Sequence, residues 1–475
     1  MAVITHTEYT IIFDGKDVPV KSTIDRPTIR MNTTETFKTA AVSDASAARA
    51  LVRGMTRWDL AGLSINGIIG AGIFGLPSSV ARMLGASSPI AFVLCALIVY
   101  VFVLCFAEAA SRFTETGGPY LYSRAIFGPF VGFEVGWSMW LARVSAFAAN
   151  SNLLLSYLGF FTPAVTSGMG RTFVLIIVPA ILMIINIRGV TGGARFGTIL
   201  ALMKVGALVL FGMVGLAFVD WNRFSGMSFS READWGGAIL LLIYAYTGFE
   251  SSVVPVGEAK DPRKDVAWGL IIALSICAII YVAVQTVAVG TVPDLASSQR
   301  PLVDSGRSFL GPIAGGLISI LVCVSVIGNL SGSALSMPRL TYAFAERGDF
   351  PVFFGRLHPV YRTPVVSIVF FSVIATILAL SGTFVWLATV SVVARLASYL
   401  ATCLAVPALR KRSAGPPGFR IPLGPVIPVA GVLLCTWLFT QAAPGDLRDF
   451  VLASIAGAVL YLARPRPKVP EPSRI

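Results

Sequence analysis

The stretch Ile68-Ile69-Gly70-Ala71-Gly72-Ile73-Phe74-Gly75-Leu76-Pro77 lies inside the first long apolar run of the chain. A helix in lipid must satisfy its backbone polar groups internally, because the hydrocarbon offers no partners. Gly67, Gly70, Gly72 and Gly75 each weaken a helix by about 1 kcal/mol relative to Ala, and an interior Pro77 by about 3 kcal/mol. Their sum, about 7 kcal/mol as an upper figure, favours a local break over one smooth helix. A break at membrane depth is tolerated only where it is buried in protein or lines a watery cavity. Freed N–H and C=O groups there form a binding site for a small zwitterion.

The composition supports a bilayer setting for that break. Of 475 residues, 55% are hydrophobic and 13% charged, with a mean hydropathy of +0.79. Soluble domains carry about 25% charged residues. All six cysteines fall in apolar stretches, none at metal-ligand spacing, and read as small hydrophobes. The only histidines are His6 and His358, which excludes a His-based catalytic or metal site inside the apolar segments. The net charge of +13 is not a nucleic-acid signal, because Lys and Arg cluster in alternate loops, as membrane topology demands.

Twelve apolar segments are long enough to span about 30 Å at roughly 20 residues each. They cover 58–82, 88–110, 126–158, 171–190, 194–219, 235–258, 266–290, 311–338, 363–381, 384–409, 425–443 and 446–463. Residues 1–55 are polar, lack a signal-peptide core, and read as a cytoplasmic tail. Within them, Tyr9–Phe13 and Val18–Val20 flank Asp14-Gly15-Lys16, which reads as a small hairpin or as part of a disordered tail. With the N-terminus inside, the internal loops hold fifteen Lys and Arg and the opposite loops seven, so both termini, including the tail 464–475, are expected in the cytoplasm of a cell-membrane protein.

The sixth segment is also interrupted. It reads Leu242-Ile243-Tyr244-Ala245-Tyr246-Thr247-Gly248-Phe249-Glu250-Ser251-Ser252, followed by Pro255, with a carboxylate and two hydroxyls in an otherwise apolar run. It lies five segments after the first. Two five-segment halves, 56–220 and 235–410, would therefore sit in opposite orientations, leaving 421–463 as two peripheral helices. Interrupted helices at matching positions of inverted halves point to a transporter's binding site.

Several motifs then carry a resemblance: Gly70-Ala71-Gly72-Ile73-Phe74-Gly75, Tyr246-Thr247-Gly248-Phe249-Glu250, Glu258-Ala259-Lys260-Asp261-Pro262-Arg263-Lys264-Asp265, and Glu108 followed by Arg112-Phe113-Thr114-Glu115-Thr116-Gly117-Gly118-Pro119-Tyr120. In this order, over about 55–410, the chain resembles the amino acid–polyamine–organocation (APC) superfamily. The resemblance implies an all-α membrane protein of the leucine-transporter type, with twelve transmembrane helices, a 5+5 inverted repeat and interrupted helices 1 and 6. It implies that amides around Ile69, Gly70, Ala71, Gly72 and Ile73 bind a substrate carboxylate, which free N–H groups at a half-helix N-terminus favour. The competing role for these glycines is close helix packing. The resemblance further implies that the carbonyls of Tyr244, Ala245 and Thr247 beside Gly248 take the α-ammonium, with Tyr244 closing over the substrate or simply packing, while Tyr246 and Phe249 pack.

The charges follow. Glu250 is a carboxylate at membrane depth that could hold a proton, meet a gate residue or bond a helix end. Lys204 lies mid-segment, where relatives carry a lysine and sodium-coupled members bind a cation; a buried ammonium can replace that ion and couple transport to protons. Its expected neighbours are carbonyls of the first break and the hydroxyls of Ser331 or Ser333; its plain alternative is a fixed structural charge. Arg143 faces either a cavity, pairing Glu250 or a substrate acid, or a structural tie, and Arg395 reads as packing. Glu108, Arg112, Glu115, Lys260, Asp261 and Arg263 read as an intracellular ion-pair gate or as solvated loop charges.

The expected function is secondary active transport of a small neutral amino acid, with H⁺ as the coupling partner and no cofactor, metal or nucleic acid. The competing readings are an exchanger of polyamines or cationic amino acids, and a channel or transport-dead amino acid sensor. No set of nucleophile, base and orienting group suggests an enzyme.

Overall fold

The computed structural model describes residues 11–13, 16–18, 56–113, 118–189, 193–225, 227, 233–253, 260–412 and 418–464, with backbone alone at 11–13, 16–18, 193–202, 251–252 and 262–263. The chain separates into two compact units, Met1–Val52 and Arg53–Ile475. In the first, β1 (Ile11–Phe13) and β2 (Lys16–Val18) pair antiparallel, with Phe13 opposite Lys16 and Ile11 opposite Val18. Of the two readings of this region the hairpin is the one present, and Lys16, expected in its turn, belongs to the second strand. The rest of the 1–55 tail and residues 465–475 lie outside the described residues.

The second unit is helical among its described residues. Its first half contains α1 (Arg57–Ile68), α2 (Gly72–Leu84), α3 (Ser88–Ala110), α4 (Pro119–Phe127), α5 (Pro129–Leu158), α6 (Gly168–Arg188) and α7 (Gly193–Leu216). After it come α8 (Trp235–Tyr246), α9 (Glu250–Val253), α10 (Pro262–Thr291), α11 (Pro301–Leu310), α12 (Pro312–Glu346), α13 (Val365–Ser381), α14 (Phe384–Arg412), α15 (Val426–Gln441) and α16 (Pro444–Leu462). The starts follow capping rules. Thr56 and Asp59 form a reciprocal box at the head of α1, the Asp59 amide donating to Thr56 Oγ1 at 3.3 Å and the Thr56 amide to Asp59 Oδ2 at 2.8 Å. Asp234 accepts from the Gly237 amide at 2.8 Å at the head of α8.

Each of the twelve apolar segments coincides with a helix or a pair of helices, and the first and sixth are the two interrupted ones. By length and apolarity, five described helical runs suffice to cross a membrane: Gly72–Ala110, Gly168–Arg188, Lys264–Thr291, Pro312–Glu346 and Phe384–Arg412. The expected count of twelve is thus not reached by this measure. The interrupted segments are split into short halves. The long α5 carries Glu134, Arg143, Asn150 and Asn152. The pair α15 and α16 is bent by 113° at its junction. Two amphipathic helices, α4 and α11, fall outside the twelve segments because their apolar residues line one face only.

The core is continuous and organised around two helices. One is α5, which packs on α4, α12, α13, α14 and α16; the other is α10, which packs on α1, α3 and α7. Trp140, Phe147 and Tyr157 of α5 are fully buried, as are Tyr246 and Tyr281 beside the breaks. All six cysteines are buried free thiols, as their apolar surroundings suggested.

Candidate substrate site at the paired helix breaks

α1 stops at Ile68, and Ile69 leaves the helical region with ψ +76°. The Gly70 amide, expected to be free, donates to Ile68 O at 2.7 Å. Ala71 and Gly72 open α2 with no side-chain cap, so this turn presents the positive end of a half-helix. The carbonyls released at the end of α1 are claimed by side chains. Lys204 Nζ, on α7 and 4% exposed, donates to Asn66 O at 2.8 Å and Ile69 O at 2.6 Å. Tyr281 of α10 donates to Ile68 O at 2.9 Å. Pro77 removes one amide from the following helix, and the carbonyl of Phe74, three residues back, accepts from Tyr157 at 2.7 Å.

The second break is built the same way. α8 ends at Tyr246, and Thr247 is extended at ψ 159°. Gly248 has φ +112°, a region that residues with a Cβ rarely enter. Its amide donates to Glu250 Oε2 at 2.7 Å. Tyr244 O accepts from Thr247 Oγ1 at 2.8 Å, and Ala245 O from the Tyr281 hydroxyl at 3.2 Å. One phenol thus lies between a carbonyl of each break. Of the three carbonyls expected to meet an ammonium, two already have protein partners: Tyr244 O also accepts from the Thr247 amide at 3.4 Å, while Ala245 O has the one phenol.

The breaks meet backbone to backbone. A Cβ built on Gly72 would stand 2.5 Å from Ala245 Cα, and one on Gly248 would overlap the Gly67 carbonyl oxygen. Close packing, the competing role named for the glycines of the first break, is therefore realised at Gly72, and Gly248 of the second break packs as closely. Gly70 differs: its nearest neighbour would be Asn329 Nδ2 at 3.4 Å. Ile69 and Ile73 are fully buried. Above the contact, the Tyr244 hydroxyl donates to Asn150 Oδ1 at 2.7 Å, Asn150 Nδ2 donates to Asn329 Oδ1 at 2.8 Å, and the Tyr244 ring meets Phe384 edge-on at 6.0 Å.

Below Tyr244 lies a charge cluster. Glu250 Oε1 accepts from Tyr399 at 2.6 Å and from Arg395 Nη1 at 3.3 Å, and its Oε2 is 3.9 Å from Arg143 Nη2. The side chains of Arg395 and Glu250 are 5% exposed and that of Arg143 20%. Arg395, expected to pack, is therefore the nearer of the two guanidiniums. The i, i+4 spacing of Arg395 and Tyr399 on one helix face was the signal available for it. Asn150 and Asn329 left no comparable signal, since they meet only across α5 and α12.

Two expectations about neighbours change. Ser331 and Ser333 were expected beside Lys204. The part of α12 that shares a cavity of about 210 Å³ with Met203 and Lys204 is instead Leu317, Ile320, Leu321, Val324 and Ser325, two turns earlier. In the expected gate, Glu108 is joined to Arg112 Nη2 at 2.9 Å, but its bidentate partner is Arg410, at 2.8 and 2.6 Å, with the Ile421 amide at 3.0 Å. Glu108 is fully buried, so this cluster ties the end of α3 to the end of α14. Lys260 is exposed, while Glu115 and the side chain of Arg263 lie outside the described residues.

Residues 55–460 match the amino acid permease family. The chain is 30% identical to the methylthioribose transporter of Bacillus subtilis over 88% of its own length and 95% of the relative's. It is 28% identical to the branched-chain amino acid permease BcaP of the same organism, over 90% and 96% of the two chains. It is also 28% identical to the serine/threonine exchanger SteT, over 84% and 94%. The family is one of multi-pass membrane permeases rather than an enzyme class. Paired interrupted helices, motifs in order and a match along most of the sequence agree, and the chain belongs to the amino acid permease family of the APC superfamily.

Proposed function

We propose that the protein is a secondary transporter of a small neutral amino acid, coupled to protons and working by alternating access. In this reading twelve helices form two inverted five-helix repeats, 56–220 and 235–410, with 421–463 peripheral and the tails 1–55 and 464–475 in the cytoplasm of a cell-membrane protein. One observation carries it. Two interrupted helices meet backbone to backbone, and their freed carbonyls are held by single side chains, Lys204 and Tyr281. Amides at Ala71 and Gly72 suit a carboxylate, and carbonyls at Tyr244, Ala245 and Thr247 suit an ammonium.

Lys204 is the coupling group in this proposal. Its ammonium bridges the end of α1 to α7; losing the proton leaves a neutral amine with two N–H groups, whose weaker, uncharged hydrogen bonds to the Asn66 and Ile69 carbonyls loosen the break. Glu250 is a weaker carrier, because two guanidiniums and a phenol already surround it. The same two guanidiniums argue against polyamines or cationic amino acids, since they leave an excess positive charge beside the break. The relatives' names, covering branched-chain amino acids, serine and threonine, and methylthioribose, support a neutral substrate. The exchanger among them keeps exchange open as the mode of coupling.

The test is uptake of a labelled amino acid panel into proteoliposomes with and without an imposed pH gradient. We expect saturable accumulation driven by the gradient, lost in Lys204→Ala while exchange or binding persists. Accumulation in that variant equal to the parent would overturn the coupling role, and non-saturable flux in the parent would favour a channel.

A further inference from the structure

Away from the breaks, two arginines from separate parts of the chain converge on one carboxylate, and a third lies beside the tyrosine that bonds it. Asp349, just beyond α12, is 2% exposed. Its Oδ1 accepts from Arg464 Nη1 at 2.8 Å, beyond α16. Its Oδ2 pairs with Arg124 of α4 and accepts from the Tyr120 hydroxyl at 2.8 Å. Burial pushes the Tyr120 phenol up, so it remains a neutral donor. Arg347 lies 5.1 Å from the Tyr120 ring centre, and Arg464 3.5 Å from that of Tyr461.

The balance of charge and exposure is unequal. The carboxylate is sealed, whereas the Arg124 and Arg464 side chains keep 32% and 20% of their exposure. Two guanidiniums share one carboxylate, and the exposed Arg347 adds a third cation. The neighbouring Glu346 is turned toward Tyr342, from whose hydroxyl it accepts at 2.5 Å. An apolar rim adjoins the cluster: Phe127, Phe130 and Val131 are 39%, 44% and 36% exposed, and the Phe130 ring is 5.2 Å from that of Tyr461. A structural ion pair alone requires neither the surplus arginines nor the rim. Forked guanidiniums match the oxygens of a phosphate, and apolar side chains beside them match the start of an acyl chain.

We propose that this corner, between α4, the end of α12 and the end of α16, binds the phosphate of an anionic phospholipid, whose chains lie against Phe127, Phe130 and Val131. The lipid steadies three otherwise repelling guanidiniums and ties the last helix to the bundle. The inference is independent of which solute is carried.

The experiment uses the full chain in nanodiscs of phosphatidylcholine with increasing phosphatidylglycerol, reading retained lipid by native mass spectrometry and stability by thermal unfolding. We expect phosphatidylglycerol to be retained several-fold over phosphatidylcholine, with a higher unfolding midpoint. Arg347→Gln, which alters a contact with Tyr120 and neither of the two ion pairs to Asp349, should cut that preference several-fold. Asp349→Asn, which removes the competing carboxylate, should raise it even though ion pairs are lost. Equal retention of the two lipids, or an unchanged preference in Arg347→Gln, would overturn the site. Soluble glycerol phosphate producing the same thermal shift as the lipid would overturn the lipid assignment and leave a free-phosphate site.

Discussion

Gly72 shows how one missing methyl group sets the geometry of the breaks. The neighbour of its absent Cβ is the backbone of Ala245, which cannot rotate away as a side-chain tip could. Gly72→Ala should therefore destabilise the protein by about 1–3 kcal/mol through overpacking, or push the two breaks apart. Gly62, on α1 but with nothing within 4 Å of an added Cβ, is the matched control. Gly62→Ala should be neutral or stabilise by up to about 1 kcal/mol, because Ala is the better helix former. Thermal unfolding of the two purified variants checks the pair. Equal midpoints would mean that the contact with Ala245 is not a tight one. Substrate loss in Gly72→Ala follows here from displaced breaks, not from a lost amide, since the substitution retains the N–H group.

At the scale of elements, Glu250 binds three of them. It caps the turn before α9 through the Gly248 amide, meets α14 through Arg395 and Tyr399, and approaches α5 through Arg143. Removing one partner of a buried ion pair leaves an uncompensated charge and costs about 3–5 kcal/mol. Glu250→Gln strands both guanidiniums, whereas Arg143→Gln leaves the Arg395–Glu250 pair intact and removes the most exposed of the three charges. The first variant should therefore unfold at a clearly lower temperature than the second, and comparable losses would show that Arg143 is the dominant partner. The breaks themselves were legible in the sequence because Gly and Pro act locally, within one turn. So were the apolar segments, whose signal is additive along the chain. The partners of Glu250 and Glu108 were harder to read. Arg395 and Arg410 lie roughly 150 and 300 positions away, and only the packing of α14 onto α3 and α5 decides which cation arrives. Reading charges one at a time favoured the local loop lysine Lys260, which stays exposed, and missed the amphipathic helices α4 and α11.

For the whole molecule, the loop charges make a claim about sides. A loop with excess Lys and Arg resists translocation, so the basic loops belong together on the cytoplasmic face. Twelve crossings starting inside place Lys411, at the end of α14, on that face, and Gln299, between α10 and α11, on the other. Lys411 and Gln299 are exposed, so a cysteine at either would be reachable by a reagent in water. The six native cysteines are all buried, which keeps background labelling low without a cysteine-free parent. Lys411→Cys should then resist a membrane-impermeant maleimide added outside intact cells and react once the membrane is opened. Gln299→Cys should react from outside at once. If both label from the same side, an even number of crossings separates the two loops, and the proposed three through α12, α13 and α14 are not all made. Opposite sides mean an odd number of crossings between the two loops, as the three helices α12, α13 and α14 supply, and so support the alternation of sides on which the inverted halves depend.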